Sequence, residues 1–485
     1  MKRIALIFAV LLLASCTAVE NNPVLTIEGG QIQGVKTDIP GVTVYRGIPY
    51  AAPPIGELRW KEPQPVVPWD GVKIADTFGH PGFQTVHYPG GYTTEWGYGE
   101  ESPFSEDCLY LNVWTTAPGK TDEKLPVAYW IHGGGYREGW GSEPEFDGQE
   151  FAAKGCVLVS INYRLGIFGF LAHPDLAAES PHSVSGNYGI LDQIHGLKWV
   201  RENIAQFGGD PDNVTIFGQS AGAGSVRTLC ASPLAKGYFN KAIIMSGGGM
   251  STNAPIGSLP LETIQNNNKE ILDWAGLTDL QKMRAAGTET LYALAAIYSG
   301  ATGKPATITG APIIDNYVST CSFDKAAIDG TLADVPYMIG FTKDDMGDMS
   351  PGIGAFCLNR EKAGKPAYAY QFARPLPDDG SQKDYVLKGA FHSSDLWFVF
   401  KSLKHCWRPW TKGDWDLAEK EITYWSNFVK YGNPNGHEGG EWSPFTETNQ
   451  KFMIFKLDEN DNEASGMGDP LPGERFTWPP VAPSK

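Results

Sequence analysis

Val214-Thr215-Ile216-Phe217-Gly218-Gln219-Ser220-Ala221-Gly222 joins a short apolar run to a segment of small residues through a serine flanked by glycines. The run reads as a strand buried on both faces, and the small residues after it as the start of a helix. Two glycines let the chain turn tightly without side-chain collision, so the serine hydroxyl projects above the sheet. With 57 glycines in 485 residues, a bare Gly-x-Ser-x-Gly arises by chance about once in every few such chains. The strand before it and the helix after it give this one its meaning.

Outward from that turn the same alternation continues. Residues 127–131, 156–161, 242–245 and 335–341 are further short apolar runs. Between them, residues 189–204 place Ile190, Leu191, Ile194, Leu197, Val200 and Ile204 at helical spacing. Apolar strands alternating with amphipathic helices predict an α/β fold: a large, mainly parallel central sheet with helices on both faces. Ahead of it, residues 31–35 and 42–45 alternate between Gly and Pro punctuation and predict an N-terminal antiparallel β portion. Residues 260–299 read as a helical, cap-like layer. Residues 417–431, with Ile422, Trp425 and Val429 in step, read as another amphipathic helix. The Gly/Tyr-rich stretch 89–99 has no apolar period and reads as a long surface loop.

No repeat, low-complexity tract or charge block interrupts the chain, so residues 21–485 are expected to form a single catalytic domain. At 42% hydrophobic and 19% charged, the composition supports a large core and argues against disorder. Lys+Arg 39 against Asp+Glu 55 gives 39 − 55 = −16, a surface that repels phosphate backbones, so no nucleic-acid partner is expected.

The N-terminus carries Lys2 and Arg3, an apolar run over residues 4–13, then Leu13-Ala14-Ser15-Cys16. The run is too short to span a bilayer and reads as a secretory signal peptide, residues 1–15. A Cys directly after Leu-Ala-Ser resembles the lipobox of bacterial lipoproteins, which implies cleavage before Cys16 and lipidation there; cleavage near Ala18 is the plainer alternative. The expectation is an exported lipoprotein whose only membrane attachment is the lipid at Cys16, on the periplasmic or cell-surface side. The remaining cysteines, Cys108, Cys156, Cys230, Cys321, Cys357 and Cys406, contain no C-x-x-C pair, which excludes a zinc ribbon or thioredoxin-type motif. Cys156 and Cys230 lie in apolar runs and read as buried free thiols.

A serine hydroxyl is a weak nucleophile and needs a nearby base and donors for the oxyanion that forms. His132-Gly133-Gly134-Gly135-Tyr136 follows the run 127–131 directly. Its bare N–H groups, with that of Ala221, can surround the developing charge, each donor being worth about 3 kcal/mol of barrier. Among nine histidines, His392 stands in Phe391-His392-Ser393-Ser394-Asp395, beyond the last core strand read from the sequence. In chain order the acid belongs between Ser220 and His392, just past a strand. Asp345 in Gly340-Phe341-Thr342-Lys343-Asp344-Asp345 fills that slot, with Asp344 and Asp348 as rivals.

These residues resemble the type-B carboxylesterase/lipase family of α/β-hydrolases, which includes cholinesterases and non-catalytic adhesion proteins such as neuroligins. The similarity covers nearly the whole mature chain: Gly47-Ile48-Pro49-Tyr50-Ala51, Glu106-Asp107-Cys108-Leu109-Tyr110-Leu111-Asn112, Asn162-Tyr163-Arg164, Phe207-Gly208-Gly209-Asp210-Pro211 through Gly222, and Gly432-Asn433-Pro434-Asn435. The resemblance implies Ser220 as nucleophile, His392 as base, Asp345 as acid, and Gly134, Gly135 and Ala221 as oxyanion donors. Three positions depart from the family pattern. Gln219 stands where Glu is usual, Asp345 where many members carry Glu, and Phe83 where the resemblance implies the disulfide partner of Cys108. The expected function is serine carboxylic-ester hydrolysis of small-molecule esters through a Ser-His-Asp triad and an acyl-enzyme, needing no metal or organic cofactor. A feruloyl or hydroxycinnamoyl esterase is the alternative, resting on Tyr136, Trp397 and the aromatics Tyr92, Trp96 and Tyr98. A neuroligin-like binding module is the reading from another class. Acyl and alcohol specificity and oligomeric state stay open at this level.

Overall fold

The computed structural model describes residues 22–84, 91–97, 103–250, 259–306, 310–378, 380, 386–437 and 440–476. Among these, thirteen strands form one sheet. The first five are β1 (Val24–Ile27), β2 (Gly30–Lys36), β3 (Thr43–Pro49), β4 (Val72–Ala75) and β5 (Tyr110–Thr115). They are followed by β6 (Leu125–Ile131), β7 (Val157–Ile161), β8 (Gly209–Gln219) and β9 (Lys241–Met245). The last four are β10 (Tyr337–Thr342), β11 (Tyr368–Phe372), β12 (Phe452–Phe455) and β13 (Gly466–Gly468). Their order is β1-β2-β3-β5-β7-β6-β8-β9-β10-β11-β12-β13, with β4 beside β2.

The centre, from β7 through β6 to β12, is parallel throughout. The expected antiparallel portion is β1, β2, β3 and β5. Parallel strands need crossovers, and crossovers put helices on both faces, so side chains alternate between two buried layers. Val157, Val159 and Ile161 enter one core while Cys156 and Leu158 enter the other; Ile216 and Phe217 divide in the same way. The helix Tyr188–Asn203 covers the first face with Ile190, Ile194, Leu197 and Val200. The second is covered by the helix Lys412–Tyr431, through Leu417, Ile422, Trp425 and Val429. A Thr411/Asp414 capping box starts that helix and Gly432, at φ 69°, ends it. Each fully buried Leu, Ile or Phe contributes about 1.5–3 kcal/mol to holding these layers together.

One element refines the sequence reading and two depart from it. The cap-like layer is three helices, Leu261–Trp274, Leu280–Ala285 and Thr288–Thr302. Gly276, at φ 77°, turns the chain out of the first, and Gly287 precedes the third. The 89–99 stretch is not all loop. Gly91–Trp96 is a short helix, because Tyr92 and Trp96 stack at 5.8 Å one turn apart and lean on Phe391 and Trp397; residues 89–90 and 98–99 lie outside the described residues. His392 precedes a core strand rather than following the last one, since β12 comes 60 residues later and is only four residues long.

Residues 1–21, with Cys16, lie outside the described residues. Among those described, no helix is long and apolar enough to cross a membrane. Cys108, Cys156, Cys230 and Cys357 are buried free thiols, and Cys321 and Cys406 are half-buried and free. Phe83 turns its ring edge-on to Phe168 and Tyr292.

Candidate active site

Parallel strands carry their C-terminal ends to one edge of the sheet, and loops leaving that edge build sites. Ser220 follows β8 directly, at φ 57° and ψ −119°, a sparsely populated conformation for a residue with a side chain. Close packing holds it there. A Cβ on Gly222 would lie 2.0 Å from the Ile131 carbonyl oxygen, and one on Gly218 would lie 2.6 Å from Gly222. Only glycines let the elbow press onto the end of β6. The Ser220 N–H donates to the Met245 carbonyl at 2.9 Å, tying the turn to β9.

The loop after β6 crosses immediately beside this serine. A Cβ on Gly133 would sit 3.3 Å from Ser220 Cβ. Gly134 (φ 93°) and Gly135 (φ 61°) curl back so that the Arg137 and Glu138 N–H groups both bond the Gly134 carbonyl at 3.0 Å. The N–H groups of Gly134, Gly135 and Ala221 donate to no atom of the described structure. His132 forms the floor: its ring stacks 4.4 Å from Tyr163, whose hydroxyl donates to the His132 carbonyl at 3.0 Å. Burial pushes its imidazole down to about 4, against a backbone hydrogen bond at Gly133, so it is a neutral structural ring at pH 7.

The end of β10 supplies a carboxylate, and the loop that follows β11 supplies an imidazole. His392 Nδ1 lies 2.6 Å from Asp345 Oδ1, and both side chains are buried. Burial alone would raise the Asp345 carboxyl, but the bond and charge of His392 outweigh it and hold it below the usual carboxylate range. Its oxygens also accept the Thr342 N–H and hydroxyl at 3.2 and 3.1 Å and the Met346 N–H at 2.7 Å. The rival acids do other work. Asp344 accepts the N–H groups of Ala390 and Glu474 at 2.8 and 3.0 Å, latching the His392 loop onto β10. Asp348 accepts the Ser350 N–H and hydroxyl at the start of the helix Ser350–Lys362. Nε2 of His392 faces the Gln219 amide, 3.3 Å from its Nε2. Ser220 Oγ itself makes no hydrogen bond among the described residues; in free enzymes such contacts are commonly loose and tighten with substrate.

The sequence offered Tyr92 and Trp397 only as aromatics, and gave no signal for Glu95, Arg408 or the role of Asp395. The Tyr92 hydroxyl donates to the His392 carbonyl. One turn on, Glu95 is gripped by Arg408 and bonds Trp397 Nε1. Behind His392, Asp395 is wholly buried. Burial first, and then the Asp345 charge, push its carboxyl up to about 7. The aromatic residues near the site are packing: Trp397 is fully buried, Trp96 lies against it at 5.2 Å, and Tyr136 meets Phe170 edge-on. Tyr98 lies outside the described residues. The feruloyl reading draws no support from these rings. Among the described residues no group of three His, Cys, Asp or Glu side chains could hold a metal ion.

A strained serine at the end of a parallel strand, with unspent amides on one side and an imidazole–carboxylate pair on the other, is the arrangement of an α/β-hydrolase, and fold and site together put the protein in that class. Within the class, the chain belongs to the carboxylesterase family, which it matches over residues 21–354 and 349–468. It is 32% identical over 504 residues to the para-nitrobenzyl esterase of Bacillus subtilis (strain 168), covering 91% of this chain and 97% of that protein. Its match to the fumonisin B1 esterase of Sphingopyxis macrogoltabida is 38% over 320 residues, 66% of this chain but only 55% of the relative's length. The mouse (Mus musculus) cholinesterase is 28% identical over 521 residues, covering 91% and 84%. Among solved structures, a Geobacillus stearothermophilus carboxylesterase superposes with a TM-score of 0.73 at 31% identity, over 92% of this chain and 97% of that one. A PNB esterase structure gives 0.73 at 29% identity over the same shares. The protein is a carboxylic ester hydrolase.

Proposed function

We propose that this esterase works by nucleophilic catalysis, with Ser220 attacking the ester carbonyl, His392 taking its proton and Asp345 holding the imidazole. The observation that carries the reading is the buried 2.6 Å pair between His392 Nδ1 and Asp345 Oδ1, set beside the strained elbow. A carboxylate at Nδ1 fixes the tautomer that leaves the Nε2 lone pair free, and it stabilises the imidazolium formed on proton transfer. The tetrahedral oxyanion rests on the N–H groups of Gly134, Gly135 and Ala221, which donate to no atom of the described residues and so are available as the charge develops. Collapse expels the alcohol, protonated by His392, and leaves an acyl-Ser220. Water, deprotonated by the same imidazole, then releases the acid. Purified protein is expected to hydrolyse short-chain nitrophenyl esters, to gain the mass of one acyl group in a rapid quench, and to lose both properties in Ser220→Ala. Unchanged turnover in that variant would overturn the scheme.

The reading extends to location. The Lys2-Arg3 start, the apolar run and Leu13-Ala14-Ser15-Cys16 support export and a lipid anchor at Cys16, with the hydrolase domain in the aqueous phase. Expression in a bacterial host with labelled palmitate should label the parent and not Cys16→Ser, and the variant should leave the membrane fraction. Equal labelling of both would remove the anchor from the proposal.

A further inference from the structure

The side chain next to the nucleophile faces the very nitrogen that is to take the nucleophile's proton. Gln219 Nε2 lies 3.3 Å from His392 Nε2, and the two residues are 2% and 3% exposed. Gln219 is the last residue of β8, held in register opposite Met245 of β9. A Cβ on Gly133 would meet its carbonyl oxygen at 2.9 Å and its Oε1 at 3.1 Å. The amide is therefore enclosed between the oxyanion turn and the imidazole ring, with little freedom to leave either.

An enclosed amide has a property that no other side chain of its size shares: it carries one donor end and one acceptor end and never titrates. With Asp345 bound at Nδ1, the neutral imidazole of the free enzyme offers one lone pair at Nε2, to which the amide NH2 can donate until the Ser220 hydroxyl takes its place as substrate binds. Once the ring has taken the serine proton, Nε2–H becomes a donor, and half a turn of the terminal amide presents Oε1 to it. A carboxylate in the same place could only accept, and would favour the protonated ring. The other ionisable groups around the imidazole are set apart from this face: Asp345 is at Nδ1, Tyr92 is on the backbone carbonyl, and Asp344 holds the loop beneath. Asp395, with Tyr370 of β11 3.4 Å from its Oδ2, lies behind the ring. Glu421, from the helix Lys412–Tyr431, lies beyond Asp395.

Building on the triad proposed above, we propose that Gln219 is a positioning residue for His392, an uncharged partner that holds the ring in both protonation states and keeps the base competent to lower pH than a carboxylate there would allow. It acts through Nε2 of His392 and takes no part in the bonds made and broken at the ester.

The experiment is the pH dependence of kcat/KM on nitrophenyl butyrate for the parent, Gln219→Glu and Gln219→Met, with thermal melting as the folding control. Gln219→Glu adds a negative charge about 3–4 Å from Nε2, so the pH at which half the activity is lost on the acid side should rise by about one unit or more. Gln219→Met keeps the volume but neither donates nor accepts. It should leave that midpoint in place and lower the plateau kcat several-fold. Parent and Gln219→Glu sharing one acid-side midpoint, both folded, would overturn the proposal. Should Gln219→Glu not fold, an unchanged plateau kcat in Gln219→Met overturns it alone. Fluorophosphonate labelling separates this from the triad: an unlabelled parent defeats the Ser220 reading, whereas a labelled parent with an unmoved midpoint defeats only the role of Gln219.

Discussion

The Tyr92 hydroxyl donates a 2.5 Å hydrogen bond to the backbone carbonyl of His392, joining positions 300 residues apart. Its helix, Gly91–Trp96, is anchored a turn further on, where Glu95 holds Arg408 and Trp397. A six-residue strap thus fixes the loop that carries the proposed base. Asp344 latches the same loop through Ala390 from the β10 side.

Tyr92→Phe removes the hydroxyl and leaves a backbone carbonyl unpaired, at a cost of about 1–1.5 kcal/mol. The hydroxyl touches the loop and not the ester, so the loss should fall on kcat, roughly tenfold, with KM nearly unchanged. Steady-state kinetics on a nitrophenyl ester measure the split. A rise in KM at constant kcat would mean that Tyr92 contacts substrate instead.

The elbow makes a prediction about backbone contact. A methyl on Gly222 must sit 2.0 Å from the Ile131 carbonyl oxygen, and neither backbone can yield without separating β6 from β8. Gly222→Ala should therefore cost about 3 kcal/mol or more. Gly135 has nothing within 4 Å of its Cβ position and is limited only by its φ of 61°, so Gly135→Ala should cost about 1 kcal/mol. Urea midpoints of the two variants test the ranking; equal midpoints would show that the tight approach does not exist in solution.

The parallel core was legible because its signal is local: short apolar runs between helices repeat the same buried-strand pattern from residue 127 to residue 245. The elbow and the glycine turn were legible for the same reason, since a strained turn admits few residues. The strand Phe452–Phe455 was not, because four residues bounded by loops carry too little pattern. The contacts of Tyr92, Glu95 and Arg408 were hidden for a different reason. Their partners are 300 or more residues away, and contacts at that separation leave no periodicity to read. Asp345 was the acid read from the sequence, but Asp344 and Asp348 stayed as rivals, since which carboxylate faces the ring depends on single φ/ψ angles past β10.

Asp395 makes the pH prediction. Its folded carboxyl titrates at about 7, against about 3.9 for an unfolded Asp. Below about pH 4 both states hold the proton and the group contributes nothing. Between about 4 and 7 the unfolded chain releases its proton while the folded one does not, so folding loses stability with each unit; above 7 the penalty is constant. Asp395→Asn removes it. The thermal midpoint of the variant relative to the parent should climb from pH 4 to 7 and then level off. A difference independent of pH would show that Asp395 is ionised in the fold.

The three candidate acids separate cleanly by substitution. In Asp345→Asn the amide that replaces Oδ1 can present NH2 to Nδ1. That favours the tautomer with its proton on Nε2, where it can no longer accept from Ser220, and kcat should fall by about 10⁴ with the fold intact. Asp348 is exposed and, among the described residues, accepts only from Ser350 at a helix start, so Asp348→Asn should leave kcat within about twofold and cost under about 1 kcal/mol of stability. Asp344→Asn should fall between them, because it loosens the Ala390 latch without touching the imidazole. Circular dichroism confirms folding in each case and nitrophenyl ester turnover ranks them. An Asp345→Asn enzyme of parental kcat would move the acid elsewhere and break the link between the 2.6 Å pair and the chemistry.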